Sequence, residues 1–365
     1  MSLSIGIVGL PNVGKSTLFN ALTKAQNAQA ANYPFCTIEP NKATVAVPDK
    51  RLATLTELAK PQKTLHASVD FVDIAGLVQG ASSGEGLGNK FLANIRECAA
   101  IVHVVRCFED ENISHVNGKI SPLSDIETIE TELLLSDIQT VERRLERLRK
   151  IRGDKNAMST ADQISLLLSH LNTGKPAITY NKPQNDLFDI QWQEMGLITA
   201  KKVIYCANID EESVTSNNDY VEQVRSYATK CGAGFAVICA KIEEELQTLS
   251  EEEQIEMLSS FGIEFSGLEN IIRTGYATLN LCSYFTVGEK EVRAWTFKNG
   301  CKAPEAAGVI HTDFERGFIR AEVIAYNDFI EHKTEAKCRT SGVLRTEGKD
   351  YIVKDGDIMH FLFNV

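Results

Sequence analysis

Short apolar runs alternate with longer segments of helical periodicity through the first 120 residues of the chain. Ile5, Ile7 and Val8 are predicted to form a short buried strand, and residues 100–105 a second one. After the first strand, apolar residues recur at helical spacing, at Leu18, Phe19, Ala21 and Leu22. This alternation predicts an α/β fold, in which helices cover a parallel sheet.

Two later segments depart from that alternation. The capping box from Ser124 to Glu127 predicts the start of a long helix, and apolar positions near residues 164–171 predict a second helix that packs back on it. From about residue 281 the chain changes to short strand-like runs, with one helix near residues 304–311. We therefore predict an α/β domain in two parts (1–124 and 201–280), an inserted helical hairpin (125–200) and a small β-rich domain (281–365).

The composition is that of an ordinary soluble protein. Nine cysteines without a C-x-x-C pair favour reduced thiols in the cytoplasm, and no apolar run is long enough for a membrane span. Without such a span we expect no membrane partner. The net charge of −11 argues against a broad nucleic-acid-binding surface, so we also expect no DNA partner. One basic helical stretch, residues 143–152, is either a solvated face or a contact with RNA or the ribosome.

The segment Gly9-Leu-Pro-Asn-Val-Gly14-Lys15-Ser16-Thr17 fits the phosphate-loop pattern G-x-x-x-x-G-K-[ST] between a strand and a helix. The glycines let main-chain N–H groups turn towards phosphate oxygens at the positive end of a helix. Lys15 is predicted to reach the terminal phosphates and Ser16 to bind Mg²⁺. The predicted nucleotide-binding residues of this loop are Asn12, Val13, Gly14, Lys15, Ser16 and Thr17.

A second motif is predicted to sense the γ-phosphate. Asp73 ends an apolar strand and begins D-x-x-G, so it can hold Mg²⁺ through water while the N–H of Gly76 approaches the phosphate. Thr37, in the loop between the two motifs, can complete the metal shell. Leu77 stands where switch GTPases place the glutamine that orients the attacking water, so hydrolysis needs another group or is slow.

Base recognition is predicted at Asn208-Ile209-Asp210-Glu211, which follows an apolar strand. Guanine-specific switches use N-K-x-D at this place, and the longer glutamate should disturb the bidentate geometry that reads guanine. We therefore predict a relaxed or altered specificity towards ATP. Against this, Cys239-Ala240-Lys241 is similar to the base-contacting turn of GTPases, so GTP remains an alternative nucleotide.

The motifs together resemble those of the YchF/Obg-like ATPase family. Besides the phosphate loop, the resemblance rests on the runs Asn32-Tyr-Pro-Phe-Cys-Thr-Ile-Glu-Pro-Asn41, Asp73-Ile-Ala-Gly-Leu-Val-Gln-Gly-Ala81, Gly84-Glu-Gly-Leu-Gly-Asn-Lys-Phe91, Lys290-Glu-Val-Arg-Ala-Trp295, His311-Thr-Asp-Phe-Glu-Arg-Gly-Phe318 and Lys349-Asp-Tyr-Ile-Val353. The likeness extends over nearly the whole chain. It implies a P-loop ATPase domain with an inserted helical hairpin and a C-terminal TGS domain of β-grasp type.

The resemblance also implies roles for particular residues. His115 matches the histidine that replaces the catalytic glutamine, and Asn12 matches residues that hold K⁺ beside the phosphates. Asn208 and Ile209 match the adenine-contacting turn. Members of the family prefer ATP, need Mg²⁺ and associate with ribosomes, so the ribosome (large subunit or 70S) is the expected partner, together with RNA.

The favoured hypothesis is a cytoplasmic, ribosome-associated ATPase that acts as a slow nucleotide-dependent switch in translation or stress response. Lys15 would stabilise phosphate charge, Ser16, Thr37 and Asp73 would hold Mg²⁺, and His115 would orient or deprotonate water. Two alternatives stay open. One is a GTPase that acts in ribosome assembly, and the other is a nucleotide-sensing binding module whose hydrolysis is incidental.

Overall fold

The structure is a computed structural model of the whole chain. It describes residues 4–29, 41–74, 87–115, 118–151, 154–216 and 218–364. Their contacts form two compact units, the first within residues 1–22, 40–43 and 70–275, the second within 23–39, 44–69 and 276–365. In the described part of the chain, no helix is long and apolar enough to cross a membrane.

The first unit is built on a six-stranded sheet, in the order β2-β4-β1-β5-β6-β7. The first seven strands of the chain are β1 (Ser4–Val8), β2 (Lys42–Ala46), β3 (Lys63–Leu65), β4 (Ser68–Asp73), β5 (Ala100–Arg106), β6 (Lys202–Asn208) and β7 (Gly234–Ile238). The pairs β1–β4, β1–β5, β5–β6 and β6–β7 are all parallel. Every residue of β1 and β5 is buried, as expected for central strands covered on both faces.

Ten α-helices occur in the described residues before the C-terminal segment. They are α1 (Lys15–Gln29), α2 (Lys50–Ala59), α3 (Leu87–Glu97), α4 (Pro122–Arg149), α5 (Lys155–Leu171), α6 (Asp186–Met195), α7 (Asp219–Cys231), α8 (Ala240–Leu246), α9 (Glu251–Ser260) and α10 (Gly267–Thr278). The predicted α/β class with a phosphate loop opening α1 is confirmed.

The helical insertion contains the 28-residue helix α4, which packs on α5 and α6. Val141 and Leu145 of α4 share one apolar core with Ile164 of α5 and Phe188 of α6. The predicted helix start at Ser124 is wrong, because α4 begins at Pro122 with Ser121 as its N-cap. Proline is suited to the first helical position, where its fixed φ matches the helix and no N–H is needed.

Asp137, fully buried on α4, ties the end of the insertion to the sheet. Its carboxylate accepts hydrogen bonds from the N–H of Ile198 (2.9 Å), the N–H of Thr199 (2.7 Å) and the Thr199 hydroxyl (2.7 Å). The Arg96 guanidinium lies 3.8 Å from the same carboxylate. These partners position the chain that enters β6 against α4.

The second unit contains a six-stranded sheet, in the order β11-β10-β12-β8-β9-β3. Its C-terminal strands are β8 (Leu281–Val287), β9 (Glu291–Lys298), β10 (Phe318–Ile324), β11 (Arg345–Glu347) and β12 (Ile358–Phe363). Its helices in this segment are α11 (Ala303–Ile310), α12 (Thr312–Arg316), α13 (Tyr326–His332) and α14 (Glu335–Thr340). The core packs Tyr284, Phe297, Phe318 and Phe361 under α11.

Strand β3, from the N-terminal part of the chain, completes this sheet. It pairs in parallel with β9, with Lys63 opposite Glu291 and Leu65 opposite Arg293. Arg51 of α2 reaches the same unit, where its guanidinium donates to Asp355 at 2.8 Å. The contacts thus group residues 44–69 with the C-terminal strands. The domain boundaries derived from the sequence stay predictions.

Replacement of Asp137 by alanine should destabilise the first unit by about 3 kcal/mol, because it leaves buried N–H groups unpaired and the Arg96 charge without its carboxylate. Chemical denaturation followed by circular dichroism measures this change. Asp162→Ala, on the exposed face of α5, is the matched control and should change stability by less than about 0.5 kcal/mol. Equal effects of the two substitutions would contradict the assignment.

Candidate functional site

The carboxyl ends of the central parallel strands meet at one edge of the sheet. The register places Ile7 opposite Asp73, Val8 opposite His103, and Arg106 opposite Asn208. The loops that follow these strands therefore emerge together. In open α/β sheets, ligands bind in the crevice outside the carboxyl ends of the strands.

The phosphate loop follows β1 and has the backbone that its sequence predicts. Asn12 has φ 61° and Gly14 has φ 97°, both in the left-handed region, and α1 begins at Lys15. A Cβ at Gly14 would collide with the Asn208 amide nitrogen, so this position needs glycine for space as well as conformation. The Leu18 N–H donates to the Gly14 carbonyl at 2.9 Å, which closes the first helical turn.

Lys15 is buried inside this loop, where its Nζ donates to the Leu10 carbonyl at 2.6 Å. Burial lowers the pKa of Lys15 to about 8, although the nearby Asp73 carboxylate opposes the shift. Because an incoming phosphate would favour the charged amine, this lysine is suited to bind terminal phosphates. The buried His103 behaves differently: burial lowers its pKa to about 3, so it stays neutral within β5.

The candidate magnesium ligands are hard oxygen donors. Ser16 is exposed in the first turn of α1, and Asp73 is the last residue of β4. Burial raises the pKa of Asp73, which the Lys15 charge counteracts, and no described side chain or N–H group donates a hydrogen bond to its carboxylate. A carboxylate that accepts no hydrogen bond from the described residues and an exposed hydroxyl are oxygen ligands that fit Mg²⁺. The predicted residues Thr37, Gly76 and Leu77 lie outside the described residues.

The loop between β5 and α4 is organised by the buried side chain of Arg106. Its guanidinium donates to the carbonyls of Phe108 (3.1 Å), Asp110 (3.2 Å) and Ile113 (3.0 Å). A guanidinium presents five donors in a fixed fork, so it can hold several carbonyls of one loop in place. Arg106 was not singled out from the sequence, where its only signal is a charge at the end of an apolar strand.

His115, in the same loop, lies near the phosphate loop. The Asn12 amide donates to the carbonyl of the preceding residue, Ser114, at 3.3 Å. The His115 Nε2 lies 2.9 Å from a carboxylate oxygen of Asp125, in the first turn of α4. Burial raises the pKa of Asp125, while the hydrogen bond with His115 and the Arg106 charge oppose this. A carboxylate on one ring nitrogen fixes the orientation of an imidazole, so Asp125 is a further candidate residue, which the sequence did not single out.

Asn208 and Glu211 occupy different places at the end of β6. The Asn208 amide donates to the Val13 carbonyl at 2.9 Å and accepts from the Ala240 N–H at 3.0 Å, so it joins the phosphate loop to the turn after β7. Ile209 is buried in the core beside this turn. Glu211 is partly exposed and forms an ion pair with Lys241 at 2.6 Å. The structure thus brings together both predicted base-recognition turns.

This fold and loop set define a P-loop nucleoside-triphosphate-binding protein. The family model described as "50S ribosome-binding GTPase" matches residues 4–151. The YchF GTPase C-terminal model, described as "Protein of unknown function", matches residues 281–364.

The chain is 54% identical to the "Ribosome-binding ATPase YchF" of Haemophilus influenzae and 51% identical to that of Bacillus subtilis, with both chains covered in full. Its structure matches that of the Schizosaccharomyces pombe YchF GTPase with a TM-score of 0.88 at 41% identity, over 99% of this chain and 98% of the other. The chain belongs to the YchF family, as its motifs predicted.

Nucleotide binding should weaken as the pH rises above about 8. Below the Lys15 pKa of about 8 the amine is already charged, whereas above it binding must first take up a proton. Calorimetry of ATP binding in two buffers of different ionisation enthalpy should give an uptake of about 0.9 proton at pH 9 and a much smaller one near pH 7.5. An uptake of zero at pH 9 would show that the pKa of Lys15 lies well above 9.

Proposed function

We propose that this protein is a cytoplasmic, ribosome-associated ATPase that hydrolyses ATP to ADP and phosphate. The observation that carries the proposal is the site at the sheet edge, where a complete phosphate loop, the Glu211 turn and a histidine loop converge. Full-length relatives named ribosome-binding ATPases support the same activity and partner. The matching yeast protein is named a GTPase, and that name describes the yeast protein alone.

The phosphate-binding groups provide most of the chemistry. Lys15 and the main-chain amides of residues 12–17 bind the β- and γ-phosphates and stabilise the charge that develops on them. Ser16, Thr37 and Asp73 would hold Mg²⁺, which when bound neutralises the phosphate oxygens. The Asn12 side-chain oxygen is the proposed ligand for K⁺, because its amide nitrogen already donates to Ser114.

Adenine selection is proposed to depend on the end of β6. Asn208 braces the turn, Ile209 supports it from the core, and Glu211 accepts from the exocyclic amine of adenine. The ion pair with Lys241 holds the Glu211 carboxylate in place and occupies the lysine that the guanine-type turn would use. Gly76 would bring its N–H to the γ-phosphate.

His115 is proposed to position the attacking water in place of the missing glutamine. Leu77 cannot hydrogen-bond to water, so a group from another loop has to do so. His115 is close to the phosphate loop through Ser114 and is oriented by Asp125. Without a partner, turnover is slow because the described residues present no arginine to the phosphates.

Replacement of Glu211 by aspartate should move base preference towards GTP by roughly tenfold, because it restores the shorter acceptor of the guanine-type motif. Competition of ATP and GTP against a fluorescent nucleotide analogue measures the ratio. Glu212→Asp makes the same chemical change one residue further on, at an exposed position, and should leave the ratio unchanged. A wild-type preference for GTP of more than tenfold would overturn the ATPase assignment itself.

His115→Ala should lower turnover at saturating ATP by roughly 10- to 100-fold with nucleotide affinity unchanged, because only water positioning is lost. Asp125→Asn should lower turnover less, and should add nothing in the His115→Ala background, because it acts through the imidazole. Single-turnover kinetics measure both effects. Glu127→Gln, exposed on the same turn of α4, is the control. Additive losses in the double variant would exclude the positioning role of Asp125.

A further inference from the structure

The basic end of helix α4 is where this acidic protein concentrates positive charge. The chain carries 49 Asp and Glu against 38 Lys and Arg, so its overall field repels polyanions. Any contact with a nucleic acid therefore needs a local surface where positive charge is left over. Residues 142–150 contain five basic and two acidic side chains, and the basic ones lie in the last turns of α4.

Three of these arginines line a cavity of about 260 Å³, together with Arg96 of α3. The lining arginines of α4 are Arg143, Arg144 and Arg147, which lie within about one turn of the helix. The cavity holds several times the volume of about 30 Å³ that one water molecule takes in the liquid. It is large enough for an anionic group together with several water molecules of its hydration shell. We call this cavity the arginine pocket.

Two of the four guanidinium groups are already neutralised or fully bonded. Arg96 donates to the hydroxyls of Ser136 (2.9 Å) and Thr140 (2.8 Å) and lies near the buried Asp137. Arg144 donates to Gln191 and to Glu194 of α6, which offsets its charge. These contacts fix the walls of the pocket in one arrangement.

The other two arginines keep their charge. Arg143 donates only to neutral oxygens, the Gln139 carbonyl (3.1 Å) and the Thr140 hydroxyl (3.4 Å). Across the described residues, neither Arg143 nor Arg147 forms an ion pair with a carboxylate. Burial lowers the pKa of the half-buried Arg96, and the charge of Arg143 adds to this effect. The pocket therefore holds the charges of Arg143 and Arg147 close together, and no carboxylate of the described residues pairs with either of them.

We propose that the arginine pocket binds a phosphate group of an RNA backbone. The proposal rests on the ribosome association proposed above and assigns this face of α4 to the RNA contact. Planar guanidinium groups bind phosphate oxygens through paired N–H donors, and a preformed pocket loses little side-chain entropy on binding. RNA is favoured over an acidic protein segment for two reasons. Arg144 is already paired with the carboxylate of Glu194. The unpaired charges of Arg143 and Arg147 follow one another along a helix, as phosphates do along a nucleic-acid strand.

The test compares two double charge reversals with equal change in net charge. Arg143→Glu with Arg147→Glu reverses the pocket. Arg149→Glu with Lys175→Glu is the control, because Arg149 lies on the opposite side of α4 from Arg147 and Lys175 is exposed in a loop. Anisotropy of a fluorescent single-stranded RNA, recorded at several salt concentrations in the full-length protein, gives the affinity and its salt dependence.

The pocket variant should bind RNA at least tenfold more weakly than the control, and the slope of log K against log salt should fall in magnitude by about 1.4 for two lost phosphate contacts. Equal weakening in both double variants would overturn the proposal, as would tighter binding of poly-glutamate than of RNA to the wild type. Inorganic phosphate should compete only at millimolar concentration, and competition at micromolar concentration would instead indicate a free-anion site. Thermal unfolding, and a second variant with glutamine at both pocket positions, separate loss of binding from loss of folding.

Ribosome co-sedimentation separates this proposal from the proposed function. If the wild type sediments with ribosomes and the pocket variant does so equally well, the arginine pocket is not the RNA contact but ribosome association stands. If the wild type itself does not sediment with ribosomes in any nucleotide state, the proposed function fails. Intrinsic ATP turnover should be the same in both double variants, because neither touches the nucleotide loops.

Discussion

The side-chain amide of Asn208 holds together the two loops on which nucleotide binding depends. It donates to the Val13 carbonyl at 2.9 Å and accepts from the Ala240 N–H at 3.0 Å. A side-chain amide offers a donor and an acceptor at the same place. The contact is so close that Gly14 has no room for a Cβ. The shape of the phosphate loop therefore depends on β6 as much as on its own sequence.

Helix α4 connects two other features of the first unit. Its first turn carries Asp125, which orients His115, and its later turns carry Arg143 and Arg147 of the arginine pocket. The 18 residues from Asp125 to Arg143 correspond to about 27 Å of helix. The apolar face between them is buried, near its start against β5, β6 and α7 and further along against α5 and α6, so α4 is a packed element over this length. One continuous helix thus joins the histidine loop to the arginine pocket.

Buried charged side chains help to position the loops around the site. Arg106 donates to three carbonyls of the loop that contains His115, and Asp137 accepts from the N–H groups of two residues before β6. A buried charge is costly unless hydrogen bonds satisfy it, so each of these side chains permits few arrangements of its loop. The same reasoning accounts for the lowered pKa of Lys15, because burial disfavours the charged amine until a phosphate binds next to it.

The phosphate loop, the α/β class and the family could all be predicted from the sequence, because they depend on local spacing: glycines at fixed offsets, a lysine at the start of a helix, and apolar residues of strand or helix period. Asn208 was indicated by its motif after an apolar strand, and His115 through the family resemblance. The three-dimensional structure was needed to show that β3 joins the C-terminal sheet, that Asn208 acts as a brace, and that Arg106 and Asp125 support the histidine loop. These partners lie far apart along the chain or on different elements, and their pairing depends on strand order and burial, which no short window of sequence contains.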